Sequence, residues 1–277
     1  MGGMGGMQDG NNNKSEYSTK GIKAGNEIAI FGGEITVKAY DDAIHANADA
    51  TLENGSAPTG NVTITQGKIN LYSNDDGIHA DGNLKISGGA VNISYSYEGI
   101  EGKEISISDG KLSATTRDDG INSTATSGTG IKITGGEIYI YAGGDGIDSN
   151  SRTSYSGINF SGGRTVVICT SGGNSAIDSE SGYTYTGGEV LAIGSSGGMS
   201  SEAEDCPSFD EVATAKSLSL SKGSYLTVLT PESKGVVIKL NFSLSARVVY
   251  LGSSDADISV SDSSSAELDE NGVGRNS

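Results

Sequence analysis

The sequence predicts an all-β protein, a right-handed parallel β-helix of about eight coils closed by a small C-terminal β cap. Three observations carry this: a motif recurring about every 22 residues, apolar positions alternating on either side of a recurrent glycine, and a composition short of large core residues. The 277 residues include 43 glycines, three prolines and no tryptophan, and only 34% are hydrophobic. A thin stacked column needs few large side chains, whereas a compact globular core needs more.

The motif is an acidic turn ending in isoleucine, as in "SNDDGIHADG" (73–82), "AYDDAIHAN" (39–47), "TRDDGINS" (116–123) and "GGDGIDSN" (143–150). Its anchor falls at Ile22, Ile44, Ile78, Ile100, Ile121, Ile147 and Ile177, with Met199 as a degenerate last member. A second anchor is a glycine at 33, 67, 89, 110, 136, 163 and 188. Two apolar positions precede each glycine, as in Ile28/Ile30 and Leu84/Ile86, and in the earlier units two follow it, as in Ile35/Val37 and Val91/Ile93. Period two is the mark of strands with one buried face, so each coil should hold two short strands plus a shorter segment at the anchor isoleucine. Insertions at 46–60, 123–130 and 149–157 all enter after the acidic turn, a placement that stacked repeats tolerate. Right-handed coiling follows from the chirality that governs parallel crossovers.

Residues 1–16 read as a flexible Gly/Met/Asn-rich lead, 17–200 as the β-helix, and 201–277 as a β-strand cap with an acidic tail, mobile at its end. The apolar stretches of the last segment, "KSLSLSKGSYLTVLT", "GVVIKLNF" and "ARVVYLG", suit a hairpin set over the rod's open end. An uncovered last coil would leave unpaired backbone groups.

A net charge of −17 disfavours nucleic acid and anionic lipid as partners. No run of 18 apolar residues occurs, so no membrane-spanning segment is expected, and the start shows no signal peptide. Two cysteines, Cys169 and Cys206, define neither a disulfide nor a zinc site.

Winding converts sequence columns into spatial ones. Asp42, Asp76, Glu98, Asp119 and Asp145 stand two residues before successive anchors. Asp41, Asp75 and Asp118 precede three of them, and Glu101 and Asp148 follow their anchors. Carboxylates about 4.8 Å apart repel by roughly 3 kcal/mol per pair at an effective dielectric near 20. A single Asp-Gly turn is simply good turn chemistry. A file of five stacked carboxylates instead calls for a cation, and an oxygen-only donor set points to Ca²⁺. The candidate calcium ligands are therefore Asp41, Asp42, Asp75, Asp76, Glu98, Glu101, Asp118, Asp119, Asp145 and Asp148. His45 and His79 should stack on adjacent coils; with no third nitrogen ligand in view, they are read as ligand-contacting surface residues.

The opening "YSTKGIKAGNEIAIFGGEITVKAYDDAIHAN" and the serial Asp-Asp-Gly-Ile turns resemble a bacterial carbohydrate-binding β-helix family, typified by a clostridial cellulose- and polygalacturonate-binding surface protein. The resemblance covers about residues 17–200. It implies a right-handed β-helix related in fold to pectate lyases, bound calcium, secretion or surface display, and binding of plant cell-wall polysaccharide. The pairs Asp41/Asp42, Asp75/Asp76 and Asp118/Asp119 match the family's turn, whereas the turns at Glu98, Asp145 and Ser175 depart from it.

The expected function is non-catalytic, calcium-dependent binding of pectin or cellulose by an extracellular monomer. Tyr72, Tyr139 and Tyr141 face outward on the strands, as do Tyr95 and Tyr97, and either sugar stacking or strand propensity accounts for them. The alternatives are a calcium-dependent pectate lyase, with Arg117, Lys20 or Lys23 as the base beside the acidic turns, and a structural stalk or adhesin.

Overall fold

The computed structural model describes residues 19–196, 202–232 and 235–275. The lead 1–16 and the eighth anchor Met199 lie outside them. Short and long strands alternate along the chain. They are β1 (Ile22–Ala24), β2 (Glu27–Lys38), β3 (Ile44–Ala46), β4 (Asn61–Tyr72), β5 (Ile78–Ala80), β6 (Leu84–Ser96) and β7 (Ile100–Gly102). The pattern continues through β8 (Ile105–Thr116), β9 (Ile121–Ser123), β10 (Ile131–Ala142), β11 (Ile147–Ser149), β12 (Ile158–Cys169), β13 (Ile177–Ser179) and β14 (Tyr183–Ser195). The short strands form one parallel sheet in the order β1-β3-β5-β7-β9-β11-β13, and the long strands form another in the order β14-β12-β10-β8-β6-β4-β2. This is a parallel β-helix, with seven coils among the described residues.

The anchors pair across every coil: Ile22, Ile44, Ile78, Ile100, Ile121, Ile147 and Ile177 stand in one register column. From Ile44 onward each is fully buried. The expected two strands per coil are in fact one. The recurrent glycine does not separate them; it bends a continuous strand, taking positive φ at Gly33, Gly67, Gly89, Gly110, Gly136, Gly163 and Gly188. The ladder slips at these corners, as between Ile30 and Glu34 or Phe160 and Arg164. A side chain there would be strained in φ and, at Gly89, would meet the Gly67 carbonyl oxygen at 2.8 Å.

The C-terminal segment does more than close the end. A short helix, α1 (Phe209–Val212), and the turn before it plug the last coil: Ala203, Cys206, Phe209 and Val212 join the column's core, and the Tyr183 hydroxyl donates to the Ala203 carbonyl at 2.6 Å. Strands β15 (Ala213–Leu220) and, beyond it, β16 (Tyr225–Leu229), β17 (Val236–Lys239), β18 (Leu244–Leu251), β19 (Asp257–Ser261) and β20 (Val273–Arg275) complete the chain. β18 pairs antiparallel with β14, and β15 with β18, extending the long sheet. The sheet β19-β16-β17-β20 instead folds over the outside of the rod. There Leu226, Val228, Ile238 and Ile258 enclose a second core with the outward Val166, Ile168, Leu191 and Ile193. The acidic tail, expected to be mobile only at its end, supplies β19 and β20 to this sheet. Cys169 and Cys206 are both buried free thiols.

Candidate functional site

The acidic turns meet on the edge where the long strands pass into the short ones. Each turn is tied to the next coil by its backbone: the Gly77, Gly99 and Gly120 N–H groups donate to the carbonyls of Glu98, Asp119 and Asp145. Side chains add a second link. Asp42 Oδ1 accepts from the Asp76 N–H (3.1 Å), Asp119 Oδ1 from the Asp145 N–H (2.7 Å), and Asp145 Oδ1 from the Ser175 N–H (2.5 Å). One oxygen of each carboxylate therefore bridges coils, a structural role that turn propensity alone did not reveal.

The two ends of the file differ in charge balance. Around the first coils the protein supplies its own cations. Lys20 pairs with Asp42 and, at 3.5 Å, with Asp41, and the His45 imidazole also bonds Asp42. His79 Nδ1 lies 2.9 Å from Asp76 and 3.3 Å from Glu101. Burial works against ionisation of Asp42, but His45 and Lys20 outweigh it and hold its carboxyl down at about 2. Burial likewise opposes charge on His79, yet Asp76 and Glu101 push it up to about 10. Oxygens of Asp41, Asp42 and Asp75 converge within 4.8 Å, as do ligand atoms of Asp76, His79 and Glu101. Glu98, buried beside Asp76 and Glu101, is pushed up to about 9 despite the Asn122 amide donated to it.

Farther along, Asp118, Asp119, Asp145, Asp148 and Asp178 form no ion pair among the described residues. Burial first, and then the neighbouring carboxylates, push Asp119 up to about 7, Asp145 to about 6 and Asp148 to about 8. Gly144 leaves room here: a Cβ would fall 2.3 Å from Asp118 Oδ1 and 2.4 Å from Asp119 Oδ1. Two carboxylate oxygens side by side under mutual repulsion suit a hard divalent cation, although the sets of three converging ligand atoms among the described residues lie at the earlier coils. Asp178, absent from the sequence-derived candidates, joins this group because β13 stacks it on Asp148.

The outward residues divide into two zones. Tyr72 and Tyr95 stack at 5.2 Å, Lys38 covers Tyr72 at 4.8 Å, and Arg117 lies over Tyr95 and Tyr97 at 5.7 and 5.1 Å. The ring faces of Tyr72 are thus engaged by its neighbours, and its edge and hydroxyl are what it presents. Arg117 donates to the Asn74 carbonyl at 2.9 Å and runs over these rings; among the described residues it forms no ion pair with Asp118 or Asp119. Tyr141 packs against Phe242, in the connection between β17 and β18, at 5.9 Å.

Tyr139 is different. The register column Asn70, Asn92, Ser113, Tyr139, Val166 runs outward along the rod, polar where the covering sheet stops and apolar beneath it. At that boundary lies a cleft of about 210 Å³, walled by Asn70, Asn92, Ser113 and Tyr139 on one side and by the turn Asp269–Asn271 on the other. Asn271 Oδ1 accepts from the Ser113 hydroxyl at 2.9 Å, pinning the turn in place. Lys68, Lys111 and Arg164 ring the cleft, and the Arg164 Nη2 is buried without a partner. Sequence reading found Tyr139 but not its polar companions, since the opposite wall comes from residues more than 100 positions away.

No helix among the described residues is long and apolar enough to cross a membrane. With the rod, the acidic edge and the cleft in view, the architecture is that of a repetitive parallel β-helix with a covering sheet. The chain matches the carbohydrate-binding domain-containing protein family over residues 3–59, 57–99 and 96–255, and it belongs to that family. No curated protein and no solved structure matches it.

Proposed function

We propose that this chain binds plant cell-wall polysaccharide without cleaving it, as a secreted or surface-displayed monomer, and that a sugar unit occupies the cleft of Asn70, Asn92, Ser113 and Tyr139. The supporting observation is the boundary itself: an outward column of amide and hydroxyl groups that meets one aromatic ring and a fixed acidic turn. Sugar hydroxyls take paired hydrogen bonds from such groups, and an aromatic wall accepts the apolar face of the ring. Lys68, Lys111 and Arg164 around the cleft are paired with Glu34, Glu137 and Glu189, and Asp269 and Glu270 line its far wall, so the hydroxyl-reading column, which suits polygalacturonate and cellulose alike, carries the reading.

Asp118, Asp119, Asp145, Asp148 and Asp178 would hold calcium. When bound, the ion supplies positive charge that quiets the acidic edge and lets a chain of net charge −17 approach a polyanion. The chain's own contribution is rigidity: the inter-coil bonds from Asp42, Asp119 and Asp145 keep the long sheet in register, and that register spaces Asn70, Asn92 and Ser113 for successive hydroxyls.

Asn92→Ala should weaken retention on polygalacturonate by about 3–10-fold, the worth of one or two hydrogen bonds, with an unchanged melting temperature. Ser113→Ala should do the same and also loosen the turn at Asn271. Affinity electrophoresis in a polygalacturonate gel measures both; wild-type mobility shifts in both variants would remove the cleft from the account.

A further inference from the structure

We propose that His45, His79 and Asp81 form a site for one divalent transition ion of the zinc class, on the early coils of the acidic edge and distinct from the later carboxylates proposed for calcium and from the sugar cleft. The chain contains only two histidines, and stacking brings both to this point. β3 and β5 pair His45 with His79, and the two rings lie 4.3 Å apart at 16°.

Their orientation is fixed from behind. His45 Nδ1 bonds the buried Asp42 carboxylate, and His79 Nδ1 lies 2.9 Å from that of Asp76. A carboxylate holding one imidazole nitrogen is the usual way a protein aims the other at a metal and makes it more basic. Both Nε2 atoms face Asp81 Oδ1, at 3.7 Å from His45 and 3.3 Å from His79. Asp81 is itself anchored, because its Oδ2 accepts from the Ala48 N–H at 2.9 Å. The insertion 46–60 thereby sets the third ligand against the two rings. The three ligand atoms lie within 4.8 Å of one another.

One atom makes the arrangement more than a polar cluster. His45 is 8% exposed, and its Nε2 is buried with no hydrogen-bond partner. Buried polar atoms are rarely left so. A metal placed among the three satisfies this nitrogen, and any proton held between His79 Nε2 and Asp81 passes to solvent as the ion binds. Two imidazoles and a carboxylate suit zinc and its neighbours and are foreign to calcium, which prefers oxygen. The Asp81 side chain remains 36% exposed, which leaves an entry path and an open fourth position. The bound ion would cross-link the second and third coils, at the site of the longest insertion.

The test is calorimetric titration of chelator-treated full chain with zinc chloride, in saturating calcium so that the acidic edge cannot compete. One zinc per chain is expected, weakened about 30-fold or more by His79→Gln and about 10-fold or more by Asp81→Asn. Cobalt(II) in place of zinc should give visible d–d absorption typical of nitrogen-ligated low coordination, lost in His79→Gln. Both substitutions replace partly exposed groups, and circular dichroism melts check that the variants fold. No zinc heat with the wild type, or zinc binding unchanged in folded His79→Gln and Asp81→Asn, would overturn the assignment.

Discussion

Calcium-free protein should lose about 5–10 °C of melting temperature as pH rises from about 5 to about 8.5, and about 10 mM calcium chloride should restore most of that loss at the higher pH. Asp119, Asp145 and Asp148 titrate at about 7, 6 and 8 in the folded chain, above the ordinary carboxylate range. The folded state therefore holds their protons more tightly than the unfolded state does. Their contribution is fully present below about pH 4 and is lost as pH climbs through 6 to 8. His79, raised to about 10, loses its contribution over a higher window and in the same direction. Asp42, held at about 2, is ionised throughout and does not enter. One unrelieved carboxylate pair costs roughly 3 kcal/mol, and at this chain size each kcal/mol moves the melting temperature by about 2–4 °C. Calcium at 100 times its dissociation constant contributes about 2.7 kcal/mol. Asp148→Asn separates this edge from His79. Asparagine already occupies that column position at Asn122, so it fits. The variant should melt higher than wild type at pH 8.5 without calcium, match it at about pH 4 and below, and gain less from the ion. Differential scanning fluorimetry reads all three.

Ile100→Ala should destabilise the protein by about 2–5 kcal/mol, the range for emptying a buried site that cannot collapse. Ile100 is fully buried between Ile78 and Ile121, and backbone hydrogen bonds fix the spacing of all three coils. In a stack where each repeat touches only its neighbours, a central defect weakens two interfaces at once. Ile22→Ala, the same deletion at the half-buried first anchor, should cost less than half as much. Urea melts of the pair measure the gradient, and equal losses would contradict a stacked column.

The column was legible because the β-helix repeats its own requirements. An isoleucine, a small residue and a corner glycine must recur wherever a coil turns, so spacing alone placed all seven described anchors in register. Two features of the column were hidden. Corner glycines look alike in sequence whether they end a strand or bend one; only the positive φ with continued pairing distinguishes these. The covering sheet depends on contacts remote in sequence, which no local period encodes. A local trace of it existed nonetheless. "TVVIC" (165–169) and "VLAI" (190–193) are continuous apolar runs where earlier coils alternate, as strands buried on both faces must be. The same covering explains why Tyr139 borders a cleft while Tyr141 is packed. At the acidic edge, the residue types pointed to cations, but their partition did not show. Lys20, His45 and His79 neutralise part of the first coils from positions whose side-chain directions sequence leaves open, while Glu98 and the later acids stay unbalanced. Asp81 stood outside every column and gained its place from an insertion loop.

The most direct test of the cation account is calorimetric titration of calcium into chelator-treated protein at about pH 7.5, beside Asp119→Asn and Asp148→Asn. The account predicts saturable heat with at least one ion per chain, weakened about 10-fold or more in each variant. Absence of heat in the wild type, or identical isotherms for all three proteins, would contradict it.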